Sequence, residues 1–88
     1  MAQQTVKITA NDGVHARPAT VLVQEAGKYK ADINLEYNGK DVNLKSIMGI
    51  MSLGIPSGAE VTFKAEGSDE DEALEAIVNT VKEQGLGE

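Results

Sequence analysis

The chain contains no cysteine and no tryptophan, one phenylalanine, two prolines and a single histidine in 88 residues. Without cysteine there is no disulfide framework and no thiolate metal site. A lone histidine leaves only carboxylates to bind a metal, and neither a paired-histidine helix motif nor an EF-hand spacing is present. No metal or cofactor is expected. The apolar runs are far shorter than the roughly 20 residues of a membrane span. The start, MAQQTVKI, has neither the basic region nor the apolar block of a signal peptide, so a cytoplasmic location without membrane insertion is expected. Basic residues are also scarce. Eight lysines and arginines face fourteen acidic residues, a net charge of −6, which argues against a phosphate-tracking surface and hence against direct nucleic-acid binding.

What remains is ordinary globular composition, 41% hydrophobic and 25% charged. The length suits one domain spanning residues 1–88. Apolar and polar residues alternate in four places: Val6 and Ile8; Ile33 and Leu35; Val42 and Leu44; Val61, Phe63 and Ala65. That period marks four strands, each with one wet face. Asn38-Gly39 falls between the second and third and supplies the positive φ angles of a tight hairpin turn. Helical spacing appears at Ala19, Leu22, Val23 and Ala26, with Gly27 as a stop, and again at Leu74, Ile77, Val78 and Val81 after the capping-box-like Ser68-Asp69-Glu70-Asp71. A short third helix fits Ser46 to Leu53. The element order is βαββαβα, and the helical stripes can be covered only by the sheet's one apolar face. The expected fold is α/β in the α+β sense: a two-layer open-faced sandwich with a four-stranded antiparallel sheet and three helices on one face.

The chain's only histidine and only arginine stand together in Gly13-Val14-His15-Ala16-Arg17-Pro18-Ala19-Thr20. Pro18 lacks an N–H and is tolerated only in the first turn of a helix, so His15 belongs at a helix N-terminus. The leading amides of a helix lack intrahelical partners and carry the positive end of its dipole, which makes them an anion site. Arg17 adds a planar fork of donors suited to phosphate. A neutral imidazole is a nucleophile. If it attacked a phosphoryl group, the product's negative charge would lie among these donors. Dipole effects of this kind are worth about 0.3 to 1 kcal/mol, enough to tune a transfer without trapping the phosphate. Read without context, a lone histidine here is more often an incidental loop residue at an N-cap, with Arg17 a solvated charge. A hydrolytic triad has no support, because no nucleophile-elbow motif is present.

GVHARPAT resembles the active-site signature of HPr, the histidine-containing phosphocarrier family of the bacterial phosphoenolpyruvate-dependent sugar phosphotransferase system. VNLKSIMGIMSLGI, residues 42–55, resembles that family's second signature, and length and element order match throughout. The resemblance implies a phosphoryl carrier, not an enzyme. His15 would take a phosphoryl group at Nδ1 from enzyme I and pass it to sugar-specific enzyme IIA domains. Arg17 would steady the phosphate, with the backbone of Ala16, Arg17 and Pro18 around it. The likeness is to the low-GC Gram-positive type, in which the residue matching Ser46 is phosphorylated by the HPr kinase/phosphorylase. The serine-phosphorylated form is a corepressor for catabolite control protein A. Some HPr-like proteins keep the serine and lack the histidine, and act only as regulatory modules; the histidine is present here.

Ser46 also has a plain structural role to fill, as N-cap of the short helix. Of the apolar residues that follow, Ile50 and Leu53 are assigned to the core. Ile47, Met48 and Met51 are left as a surface patch which, with Thr20, would meet partners, since methionine adapts to differently shaped surfaces. A monomer is expected. Departures from the family pattern are small: Val14 stands where isoleucine is common, Ser57 where lysine is common, and Glu25 and Asn11-Asp12 make the approach to His15 more acidic.

Overall fold

The computed structural model describes residues 1–88. Seven elements follow in order: β1 (Ala2–Lys7), α1 (Ala16–Ala26), β2 (Asp32–Tyr37), β3 (Lys40–Asn43), α2 (Ile47–Ser52), β4 (Glu60–Glu66) and α3 (Glu70–Glu83). The sheet runs β1-β4-β2-β3, with every neighbouring pair antiparallel. The helices cover one face of this sheet. The other face is open, as the wet partners in the alternation require.

The register follows the period-2 pattern. Ile33 sits opposite Ala65 and Leu35 opposite Phe63, so one face of β2 and β4 is continuously apolar. The β2–β3 turn closes on Tyr37 and Lys40, with Asn38 and Gly39 at φ +54° and +80°. Both central residues of such a turn need positive φ, which is why Asn-Gly is found there. On the open face Lys64 reaches Glu36 at 2.8 Å and Asp41 at 3.2 Å, tying three strands together. Hydrogen bonding to Glu36 and then Asp41 holds the lysine's proton more tightly than usual. Solvent still reaches all three side chains, so these ion pairs contribute little to stability.

The core is one cluster of 19 buried residues. The sheet contributes Val6, Ile33, Leu35, Val61, Phe63 and Ala65, while Ala19, Leu22, Ala26, Ile50, Ala73, Ile77 and Val81 come down from the helices. Phe63, the only phenylalanine, is fully buried.

Four details differ from the sequence expectation. Ile8 and Leu44 lie one residue past β1 and β3, yet both are buried: Ile8 forms an isolated bridge with Gly87, and Leu44 N donates to Ile33 O at 2.8 Å. Gly27 does end α1, but in the right-handed region, so its freedom to take positive φ is not what stops the helix. The C-terminal residues, which carry no strand pattern, lie along the outer edge of β1. Lys7 N donates to Glu88 O at 2.8 Å and Glu88 N returns to Lys7 O at 2.9 Å. Finally, Asp69 is the N-cap residue of α3, but its side chain does not cap that helix. Its carboxylate accepts from Lys30 N at 2.9 Å and Ala31 N at 2.8 Å, fastening the α1–β2 connection to the start of α3.

The Lys30 amide, with smaller help from Ala31, holds the Asp69 carboxyl below its ordinary value of 3.8. A depressed carboxylate stabilises the fold above the unfolded value, and that contribution is lost as pH falls through the folded one. Asp69→Ala should therefore lower the melting temperature at neutral pH, and the gap from the parent should close towards about pH 2 in thermal melts.

Candidate functional site

Backbone geometry sets the start of α1. Gly13 N donates to Ala10 O at 3.0 Å, and Gly13 then takes φ +67°. It lies so close to the next loop that a Cβ would overlap the carbonyl oxygen of Ile55 and crowd Pro56. Val14 N donates to that same oxygen at 3.0 Å, and the Val14 side chain is buried. The following residue is thereby turned outward. His15, exposed, occupies the N-cap position with φ −108° and ψ −176°, and its side chain makes no capping bond. Its carbonyl accepts from Ala19 N at 3.1 Å, closing the first turn.

The leading amides, those of Ala16 and Arg17, have no acceptor within the protein. Pro18 corrects the sequence expectation, because a proline nitrogen carries no hydrogen and adds no donor to a phosphate cradle. Its buried ring and fixed φ hold the turn instead. The first turn of α1 contains no acidic residue, whereas that of α3 carries Glu70, Asp71 and Glu72. An anion is thus favoured at one helix start and opposed at the other. The Arg17 guanidinium, on the exposed side, makes none of the ion pairs in the molecule.

His15 Nδ1 lies 3.4 Å from Gly13 O. With a proton on Nδ1 the ring donates to that carbonyl. With the proton on Nε2, Nδ1 presents a lone pair. Thr20 Oγ1 donates back to Ala16 O at 2.9 Å, one turn above the free amides.

Ser46 is the N-cap of α2, its Oγ accepting from Gly49 N at 3.0 Å. Lys45, just before this helix, donates from its Nζ to Tyr29 O at 2.9 Å, within the α1–β2 connection. Ile50 is buried and Leu53 half-buried, while Ile47, Met48 and Met51 are exposed. Since α1 and α2 pack together, this apolar surface belongs to the helix beside the one that begins at His15.

Neither surface hollow contains His15 or Ser46. One is lined by Tyr29, Glu72, Glu75, Ala76 and Asn79, the other by residues including Met1, Asp32, Asp41 and Lys64. No three histidine or carboxylate side chains are grouped to hold a metal ion, and no helix is long and apolar enough to cross a membrane. His15 is thus an exposed imidazole at a helix start, open to solvent.

Comparison with known families decides the matter. The family described as the PTS HPr component phosphorylation site matches residues 2–83. The chain belongs to the HPr family. Among solved HPr-type structures it is similar to the histidine-containing phosphocarrier protein of a Mycoplasma, 42% identical over 99% of both chains with a TM-score of 0.97. It is also similar to a phosphocarrier protein HPr from Bacillus anthracis, 51% identical over 90% of this chain and 94% of that one, with a TM-score of 0.83. A third relative is the Bacillus subtilis catabolite repression protein Crh, described as a domain-swapped dimer, 50% identical over 96% and 97% of the two chains with a TM-score of 0.75. As an HPr-family phosphocarrier of the phosphotransferase system, the chain is a relay protein and not itself a catalyst. The open-faced sandwich is the HPr fold.

The expectation from sequence missed three positioning features. These are the contact of Gly13 and Val14 with Ile55, the Lys45 anchor and the Asp69 clasp. All join residues far apart in the chain. Gly13→Ala should cost about 1–3 kcal/mol in urea unfolding, since it combines a strained φ with a backbone clash. Ser46→Ala should cost about 1 kcal/mol in the same measurement through loss of the Gly49 cap.

Proposed function

We propose that His15 is the transient phosphoryl acceptor of a single-domain cytoplasmic carrier, receiving the group from phospho-enzyme I and delivering it to enzyme IIA domains. The Nδ1 lone pair attacks phosphorus, an N–P bond forms, and the bond from phosphorus to the donor breaks. Proton balance requires the ring to hold its hydrogen on Nε2 during attack, so the Nδ1 contact with Gly13 O must first be released. The transferred group then brings its negative charge to the amides of Ala16 and Arg17, with the Arg17 guanidinium on the solvent side. Phosphoryl transfer needs little covalent chemistry beyond a nucleophile, and positioning and charge stabilisation supply the rest. The observation that carries this reading is an exposed imidazole on the N-cap residue of a helix whose first two amides are unpartnered.

Ser46 is the regulatory position in this reading, modified by the HPr kinase/phosphorylase and read by catabolite control protein A. A phosphate on the capping oxygen adds about −1.5 to −2 charges next to the apolar face of α2. Ile47, Met48, Met51 and Thr20 form the surface on which enzyme I and the other partners dock. The dianion repels acidic groups on enzyme I and so slows charging of His15. The working unit in this reading is a monomer.

Similarity to Crh supports a second reading, a regulatory module acting through Ser46 alone. His15 in an intact GVHARPAT favours the carrier. Incubation with phosphoenolpyruvate and enzyme I separates the two: the carrier gains an acid-labile phosphate that is lost completely in His15→Ala and kept in Ser46→Ala. Labelling by ATP and the serine kinase should show the reverse dependence. A protein labelled only through Ser46 would be the regulatory module.

A further inference from the structure

Four large hydrophobic side chains are exposed: Met1 at 72%, Ile47 at 40%, Met48 at 84% and Met51 at 41%. Three of the four lie on the six-residue helix α2. The chain has three methionines and no cysteine, so no thiol competes for a two-electron oxidant. The Met48 side chain stands almost entirely in solvent, while Ile50, fully buried, holds α2 to the core. Oxygen added to Met48 therefore changes the outer surface of α2 without disturbing its seat.

We propose that Met48 is a redox-modification site, oxidised by peroxides to the sulfoxide, and that the added oxygen weakens docking on the apolar side of α2. In this step a sulfur lone pair attacks one peroxide oxygen, an S–O bond forms and the O–O bond breaks. Sulfur gives up two electrons, and the departing hydroxide takes a proton and leaves as water. A dithiol-driven methionine sulfoxide reductase reverses the change. The product replaces a flexible apolar tip by a strongly polar one on the exposed patch, so a partner must bury an S–O dipole. The consequence for docking rests on the reading that enzyme I binds this surface.

Met1 is an internal control. Its ammonium group pairs with Glu70 at 3.2 Å and its side chain lines a hollow with Asp32 and Glu66, away from α2. It should oxidise readily without effect on transfer. The protein is treated with dilute hydrogen peroxide, mapped by peptide mass spectrometry and assayed for phosphoryl transfer from enzyme I. Met48 should gain one oxygen before Met51. Transfer should then fall about five- to tenfold as Met48 sulfoxide accumulates, with the melting temperature unchanged, and recover with the reductase. Met48→Leu should keep its own starting rate through the same treatment. Oxidation of Met51 ahead of Met48, or a Met48 sulfoxide that transfers at the original rate, overturns the inference. Met48→Gln, polar without oxidation, identifies which premise failed. If it slows transfer while the sulfoxide does not, the modification is inert and the docking reading stands. If neither slows it, the docking reading falls, and the inference with it.

Discussion

Val14 N donates to Ile55 O at 3.0 Å while Gly13, at φ +67°, presses its bare Cα side against the same carbonyl and Pro56. This contact of backbone on backbone, between the loop after β1 and the loop before β4, decides where α1 begins. Val14 is drawn into the core, and alternation along an extended backbone then sends His15 outward. One residue further in, the imidazole would be buried. One residue further out, it would leave the free amides of Ala16 and Arg17 behind. Glycine suits the contact point, because any side chain there must displace a backbone carbonyl.

The rest of the molecule holds that junction still. The sheet places β1 beside β4, so the loops that leave and enter these strands meet at one end. Gly58 N donates to Ile8 O at 2.7 Å and Ile8 N to Ala59 O at 2.8 Å, which extends the ladder up to the loop on which Gly13 rests. Lys45 and Asp69 fix the other end of α1 by binding the backbone of Tyr29, Lys30 and Ala31. The helix that begins at His15 is thus held at both ends by contacts from other parts of the chain. Its N-terminal amides stay free and its first turn carries no negative charge.

Much of this was legible in the residues. Ile33 and Leu35, and Val61, Phe63 and Ala65, announce β2 and β4 because a half-buried strand has no other way to be written. Asn38-Gly39 marks its turn by the φ angles it tolerates. The outward set on α2 could be read from excess: a one-turn helix cannot bury five large apolar side chains, and Met48 is the most exposed of them. Pro18 located the helix start, although its missing hydrogen also removes it from the donors. What could not be read was long-range. Nothing local distinguishes Asp69 as a clasp for residues 30 and 31 from Asp69 as a cap for its own helix, since either role needs only a carboxylate before an acidic turn. The C-terminal Leu86, Gly87 and Glu88 show no alternation, because a single bridge beside Lys7 and Ile8 is too short to leave a period.

The central claim is that two orphaned amides receive the charge carried by His15. The direct measurement is a pair of proton–nitrogen NMR spectra, of the free protein and of the protein phosphorylated through enzyme I. The account predicts large downfield shifts of the Ala16 and Arg17 amide protons on phosphorylation, well beyond those of Ala19 and the later residues of α1. A phosphorylated His15 with the Ala16 and Arg17 amides unmoved would contradict it.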